Sequence, residues 1–170
     1  MDNKNKYLDK QYMNIVEDIL YNDEFSKMGD IVHHGLDRKS HSLRVSYYSY
    51  KVCRIFGLDY ISTARAGLLH DFFFENNKKS NIMKRAKTLV NHPKYALKNS
   101  ESLFNLNDME KDIIVSHMFP ISIRPPKYIE GWIVNLVDDV VAISEIGYKA
   151  RNKIAYAINF AAILVFAYFR

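Results

Sequence analysis

Little in this chain would staple or interrupt a fold. A single cysteine, Cys53, excludes an internal disulfide framework and a thiolate-based zinc knuckle. That usage suits a reducing, cytoplasmic setting, and Cys53 itself reads as a small buried core residue. Six glycines and four prolines in 170 residues predict long regular elements with short connections. No strand-like alternation, internal repeat or low-complexity stretch is present. The N-terminal stretch MDNKNKYLDKQYMN lacks the apolar core of a signal peptide. The longest apolar run, Ile154 to Phe169, is broken only by Asn159 and falls short of the roughly 20 residues that span a bilayer. A buried terminal helix over about 150–169 or a homodimer seam is expected there, rather than membrane insertion. The formal charge of +5 favours anionic ligands such as phosphates. The basic residues are scattered and carry no nucleic-acid motif, so nucleic acid is not an expected partner.

What is present is an ordinary globular balance, 48% apolar and 25% charged. The length predicts one domain over 1–170, large enough to bury a core. Apolar residues recur at three- and four-residue spacing, the mark of helices. Leu8, Tyr12, Ile15, Val16, Ile19 and Leu20 form one amphipathic face. A second helix, capped by Ser40, carries Leu43, Val45, Tyr47, Tyr48, Val52 and Ile55 and stops at Gly57. A third starts near Asp59 and ends near His70-Asp71. Pro93 suits the first turn of a fourth, and Asn107 or Asp108 can cap a fifth. Pro120, Pro125 and Pro126 force a break; a sixth helix runs from about Glu130 to Ile146 and ends at Gly147. The expected fold is all-α, a compact bundle of six to eight helices.

Six side chains stand out against this scaffold: His41, His70, Asp71, His92, His117 and Asp138. All are metal-binding types, and they fall on or beside five helices, as sites inside helical bundles do. Imidazole and carboxylate without thiolate suit Fe, Mn, Co, Zn or the harder Mg. Two metals about 3.5–4 Å apart activate water and clamp phosphoryl oxygens. Adjacent residues on a helix point about 100° apart, so Asp71 could bridge two metals while His70 serves one, or one metal could take both. A lone histidine is more often a surface or satisfied core residue. The His70-Asp71 pair is stronger, because the apolar stretch AGLL delivers two ionisable groups inward, where an unpaired carboxylate is expensive.

The segments HSLRVS (41–46), AGLLHDFFF (66–74), NHPKYALKNS (91–100), DIIVSHMFP (112–120) and WIVNLVDDVVA (132–142) resemble the HD-domain superfamily of metal-dependent phosphohydrolases. More narrowly they are similar to small bacterial, largely Firmicute, HD-domain proteins of unassigned substrate. The resemblance covers most of 33–146, the expected metal-site core, and implies an all-helical fold. It implies that His41, His70, Asp71 and Asp138 form the minimal one-metal set. His92 and His117 match the extra histidines of two-metal members, and His70 and Asp71 would be central to catalysis. Asp138, rather than Asp139, matches the last-helix aspartate. One departure is plain: Phe72, Phe73 and Phe74 follow the pair where many relatives carry Ile-Gly-Lys, and a Gly-Tyr-Pro signature is absent. Both weigh against the cyclic-di-GMP phosphodiesterase branch. The phenylalanines are expected in the core or pocket wall.

Arg44, three residues after His41, shares its helix face and could hold a substrate phosphate. Arg124 and Lys127, in the loop after His117, could do the same, as could Lys78 and Lys79; an ion pair or a solvated loop is the alternative for each. His33 and His34 read as a polar loop, the alternative being a proton carrier or a lining of the pocket mouth. The expected activity is hydrolysis of a small phosphomonoester or phosphodiester, a nucleotide among the options, through a metal-activated water at a mono- or dinuclear site. The same residues also fit the superfamily's mixed-valent di-iron oxygenases or a low-turnover regulatory module.

Overall fold

Side-chain caps and apolar faces set the helices. The structure, a computed structural model, describes residues 9–30, 32–33, 36–74 and 82–147, with the backbone alone at 30, 32, 33, 36, 82–87 and 89. It contains α1 (Lys10–Leu20), α2 (Asp23–Ser26), a 3-10 turn (Lys27–Asp30), β1 (Val32–His33), β2 (Leu36–Asp37), α3 (Arg38–Ile55), α4 (Tyr60–Leu69), α5 (Ile82–Leu103) and α6 (Asp108–Ser116), then α7 (129–147). The fold is an all-α bundle. Among the described residues its extended pairing is one antiparallel ladder, Val32 opposite Asp37 and His33 opposite Leu36. The expected helix over 150–169, Leu8, His34, Lys78 and Lys79 lie outside the described residues, and the His33 side chain does too. No described helix is long and apolar enough to cross a membrane.

The caps explain where helices begin and correct two expectations. Asp9 accepts the N–H groups of Gln11 and Tyr12 to start α1, whose face of Tyr12, Val16 and Ile19 is buried. α3 is capped by Asp37, not Ser40. The Asp37 carboxylate accepts the Ser40 backbone N–H and its hydroxyl, each at 2.7 Å, which winds the helix a turn earlier. Gly57, at φ +68°, supplies the left-handed residue that ends α3. Asp59 caps α4, and Asn107 with Glu110 closes a capping box on α6. α5 starts at Ile82, so Pro93 stands inside it rather than in its first turn. The upstream run IMKRAKTLV holds no breaker, and tolerating one proline costs the helix one hydrogen bond at that turn.

The core is organised by α3 against α4. A Cβ added at Gly67 would lie 3.0 Å from Ser46 Cα, so the two helices touch through glycine. Beside that contact the Ser46 hydroxyl donates to Ala64 O at 2.6 Å and accepts from Tyr12 OH at 2.8 Å, tying in α1. Tyr12, Tyr47 and Tyr50 pack together there. Phe72 packs with Phe25 and Phe104 under the His-Asp pair. α3 therefore buries a mixed face, with Ser42, Ser46 and Ser49 beside Val45, Tyr50 and Cys53.

Gly67→Ala forces a methyl into this backbone contact. It is expected to destabilise the protein by about 1–3 kcal/mol, as overpacking does. Denaturant unfolding checks this, and a midpoint equal to wild type would show that α3 and α4 have slack at this crossing.

Candidate metal centre

Five helices converge on one point. α3 presents His41. His70 is the C-cap of α4, and Asp71 follows in the turn, so the pair sits at the helix end rather than around its circumference. His92 stands within α5, next to Pro93, rather than ahead of the helix start that the sequence predicts. His117 is the C-cap of α6, and Asp138 lies on α7. The first five are buried, and the Asp138 side chain is 16% exposed. Asn135 holds the turn after α6 by donating to His117 O and to Phe119 O.

Asp71 is the hub. Its Oδ1 lies 3.1 Å from His92 Nε2 and 3.8 Å from His117 Nε2, while Oδ2 lies 3.9 Å from His70 Nε2. His92 Nε2 and His117 Nε2 are 3.0 Å apart. On the other side His41 Nε2 is 2.9 Å from Asp138 Oδ1, which is 3.7 Å from His70 Nε2. Three overlapping triads result, each with donor atoms within 4.8 Å: His41, His70 and Asp71; His70, His117 and Asp138; Asp71, His92 and His117.

The donor set fits a cation. His70 Nδ1 donates to Gly67 O and His117 Nδ1 to Ile114 O, each at 2.8 Å. Neutral imidazoles so held turn the lone pair of Nε2 inward. His70 Nε2 is buried with no hydrogen-bond partner among the described residues, an arrangement that normally costs about 1–3 kcal/mol. Ligands in adjacent positions around an ion bound at about 2.1 Å sit about 3 Å apart, close to the His41–Asp138 and His92–His117 spacings. The family model for the HD domain matches residues 38–143, a span that contains all six side chains. The chain belongs to the HD-domain family. Searches of curated proteins and of solved structures returned no match.

In this HD domain the phenylalanines after the pair divide their work. Phe72 is core, Phe74 is partly exposed, and Phe73 packs on the His92 ring at 5.0 Å. Phe73 in turn carries the Arg38 guanidinium 3.9 Å above its ring, and Arg38 donates to Phe73 O. Arg38 is 1% exposed. It escaped sequence reasoning, although its position three residues before His41 puts it on the same helix face. Glu145 escaped too. Its Oε2 lies 3.1 Å from His41 Nδ1, and it stands seven residues after Asp138, two turns along the same face of α7.

The three candidate phosphate binders among the described residues are placed differently. Arg44 donates to Glu145 Oε1 at 3.4 Å and so sits one carboxylate from His41. Arg124 donates to Asp112 Oδ1 at 3.1 Å, and the Lys127 backbone N–H donates to Asp112 Oδ2 at 2.8 Å. Those bonds pin the loop to α6. Asp139 is exposed, and slight burial and the Asp138 charge push its carboxyl up.

Charge is strongly partitioned. Burial opposes a proton on His41, but hydrogen bonds to Asp138 and Glu145 and the field of Asp71 outweigh it and raise its pKa to about 10. Burial, with the neighbouring His70 and His92, pushes His117 down to about 4. Burial also opposes ionisation of Asp71, yet its histidines hold it well below the usual carboxylate range. Asp138 is lowered against its burial by His70 and His41.

Without metal, His41 is therefore protonated at neutral pH, and its charge stabilises the fold below about 6.5, a support lost as pH climbs through about 10. Metal coordination needs the neutral ring. Binding of Mn²⁺ at pH 7–8 is expected to release about one proton from His41 and none from His117, with affinity rising about tenfold per pH unit below about 10. Calorimetry in buffers of different ionisation enthalpy reads this release. A binding enthalpy that ignores the buffer would contradict it.

Proposed function

We propose that the protein is a metal-dependent phosphohydrolase of the HD-domain family, acting on a small phosphomonoester or phosphodiester, with a nucleotide as one candidate. The observation that carries this reading is the Asp71 carboxylate, which turns one oxygen to His92 and His117 and the other to His70. One buried carboxylate shared between two histidine groups is what a dinuclear centre requires. His41, His70, Asp71 and Asp138 would hold one cation, and Asp71, His92 and His117 the other. A pair of Mn, Fe, Co, Zn or Mg ions supplies Lewis acidity there, acidifying water and neutralising phosphoryl oxygens.

The chain's own residues prepare that chemistry. Gly67 O and Ile114 O accept from Nδ1 of His70 and His117, which leaves Nε2 of each ring to face the centre. Phe73, itself buried, covers the His92 ring and keeps water from that side, which strengthens the charge interactions there. Asp138 is the most exposed of the six side chains, so the open side lies along α7, where substrate would enter. Arg44 is the candidate cation on that side, 27% exposed and anchored by Glu145. Arg124 and Lys127 would reach substrate only by giving up the Asp112 anchor.

Release of inorganic phosphate from phosphomonoesters and of nitrophenol from bis-nitrophenyl phosphate, with Mn²⁺ and without oxygen, tests this reading. The wild-type protein is expected to turn over at least one of them. Asp71→Asn is expected to lose more than about 100-fold, beyond the loss typical of an outer-shell change. Turnover that requires oxygen would favour the di-iron oxygenase reading. Equal rates in wild type and Asp71→Asn would remove the centre from catalysis.

A further inference from the structure

His41 is supported differently from its partners. His70 and His117 each rest Nδ1 on a backbone carbonyl three residues earlier in the chain, Gly67 O and Ile114 O. His41 rests Nδ1 on a carboxylate from another helix, Glu145 Oε2 at 3.1 Å, 104 residues away in sequence. The Glu145 side chain is 1% exposed. A buried carboxylate needs partners, and Glu145 divides its two oxygens between His41 and the Arg44 guanidinium. Neither oxygen is turned to the centre: Oε2 occupies the ring nitrogen opposite Nε2, and Nε2 is the atom that faces Asp138. An imidazole cannot aim both nitrogens at one ion, so Glu145 stands behind the ligand rather than among the ligands.

The two ends of the centre consequently differ in charge. At the α3–α7 end His41, His70, Asp71 and Asp138 converge, with Glu145 directly behind His41. At the α5–α6 end His92 and His117 meet Asp71 Oδ1 at 3.1 and 3.8 Å, and Asp138 adds its charge on the His117 side, where Nδ1 rests on Ile114 O rather than on a further carboxylate. Carboxylate support makes an imidazole a better donor, and carboxylate ligands favour hard, more highly charged ions.

We propose that Glu145 is a positioning residue that orients His41 and strengthens it as a donor, making the α3–α7 position the tighter of two unequal metal positions. This rests on the dinuclear reading above. Arg44 then has a structural duty, holding Glu145 on His41, in addition to facing substrate.

Calorimetric Mn²⁺ titration of the full-length protein, with bound Mn counted after gel filtration, tests the proposal. Wild type is expected to bind two Mn²⁺ in two separable steps. Glu145→Gln keeps the size and removes the charge, and once the proton released by His41 is accounted for by measuring at several pH values it should weaken the tighter step by about 10–100-fold while leaving the weaker step unchanged. In a His41→Ala background the same substitution should change nothing, because Glu145 acts through His41. His92→Ala should remove the weaker step and spare the tighter one. If Glu145→Gln does not fold, Glu145→Asp carries the test, since the carboxylate retreats by one methylene and the same step should weaken. Two Mn²⁺ bound with unchanged affinities in the Glu145 variants would overturn this proposal and leave the dinuclear reading standing. No Mn²⁺ bound by wild type would instead sink the dinuclear reading itself.

Discussion

Asp71 is a buried carboxylate surrounded by imidazoles, and most of the design follows from the need to satisfy it. Water reaches it poorly, so its charge must be balanced by protons on neighbouring rings or by metal. The chain brings three histidines within 4 Å of its oxygens. It then fixes two of those rings through their far nitrogens, so that Nε2 of each is turned inward. Such a cluster is poorly balanced with protons alone and well balanced with cations. That electrostatic demand, more than any single distance, suits these six side chains to a cation.

The scaffold serves this demand by bringing helix ends, not helix middles, to the centre. His70 and His117 sit just where α4 and α6 terminate, so the same residue that ends the helix hydrogen-bonds the carbonyl three places back. The depth at which α4 delivers its end is set by the glycine contact with α3 at Ser46. Behind the centre Phe73 packs against His92 and carries Arg38 over its own ring, an arrangement in which a buried cation is held by a ring face and a carbonyl. A small domain can thus keep several charges dry because each has a fixed counterpart.

Much of this was legible in the sequence. Helical periodicity gave the bundle, and the helix end at Gly57 and the starts at Asp59 and Asn107 followed from local chemistry. The His/Asp types pointed to the cluster that the fold brings together, because buried imidazole and carboxylate need one another or a cation. The misses have local and long-range causes. Ser40 lost the cap to Asp37 because a carboxylate three residues ahead can take both its N–H and its hydroxyl. Pro93 marked a helix start by statistics, yet the breaker-free run before it continued the helix. Glu145 was invisible because its meaning depends on a partner 104 residues away. A glutamate on a helix usually faces solvent, and only the fold shows that this one does not.

A dinuclear centre requires Asp71 to join two metal positions. Crystals of the protein grown with Mn²⁺, measured at a wavelength where Mn scatters anomalously, address this directly. Two anomalous peaks about 3.5–4 Å apart are expected, with one Asp71 oxygen on each and His92 and His117 on the same ion. A single peak, or His92 and His117 turned away from the metal density, would contradict it.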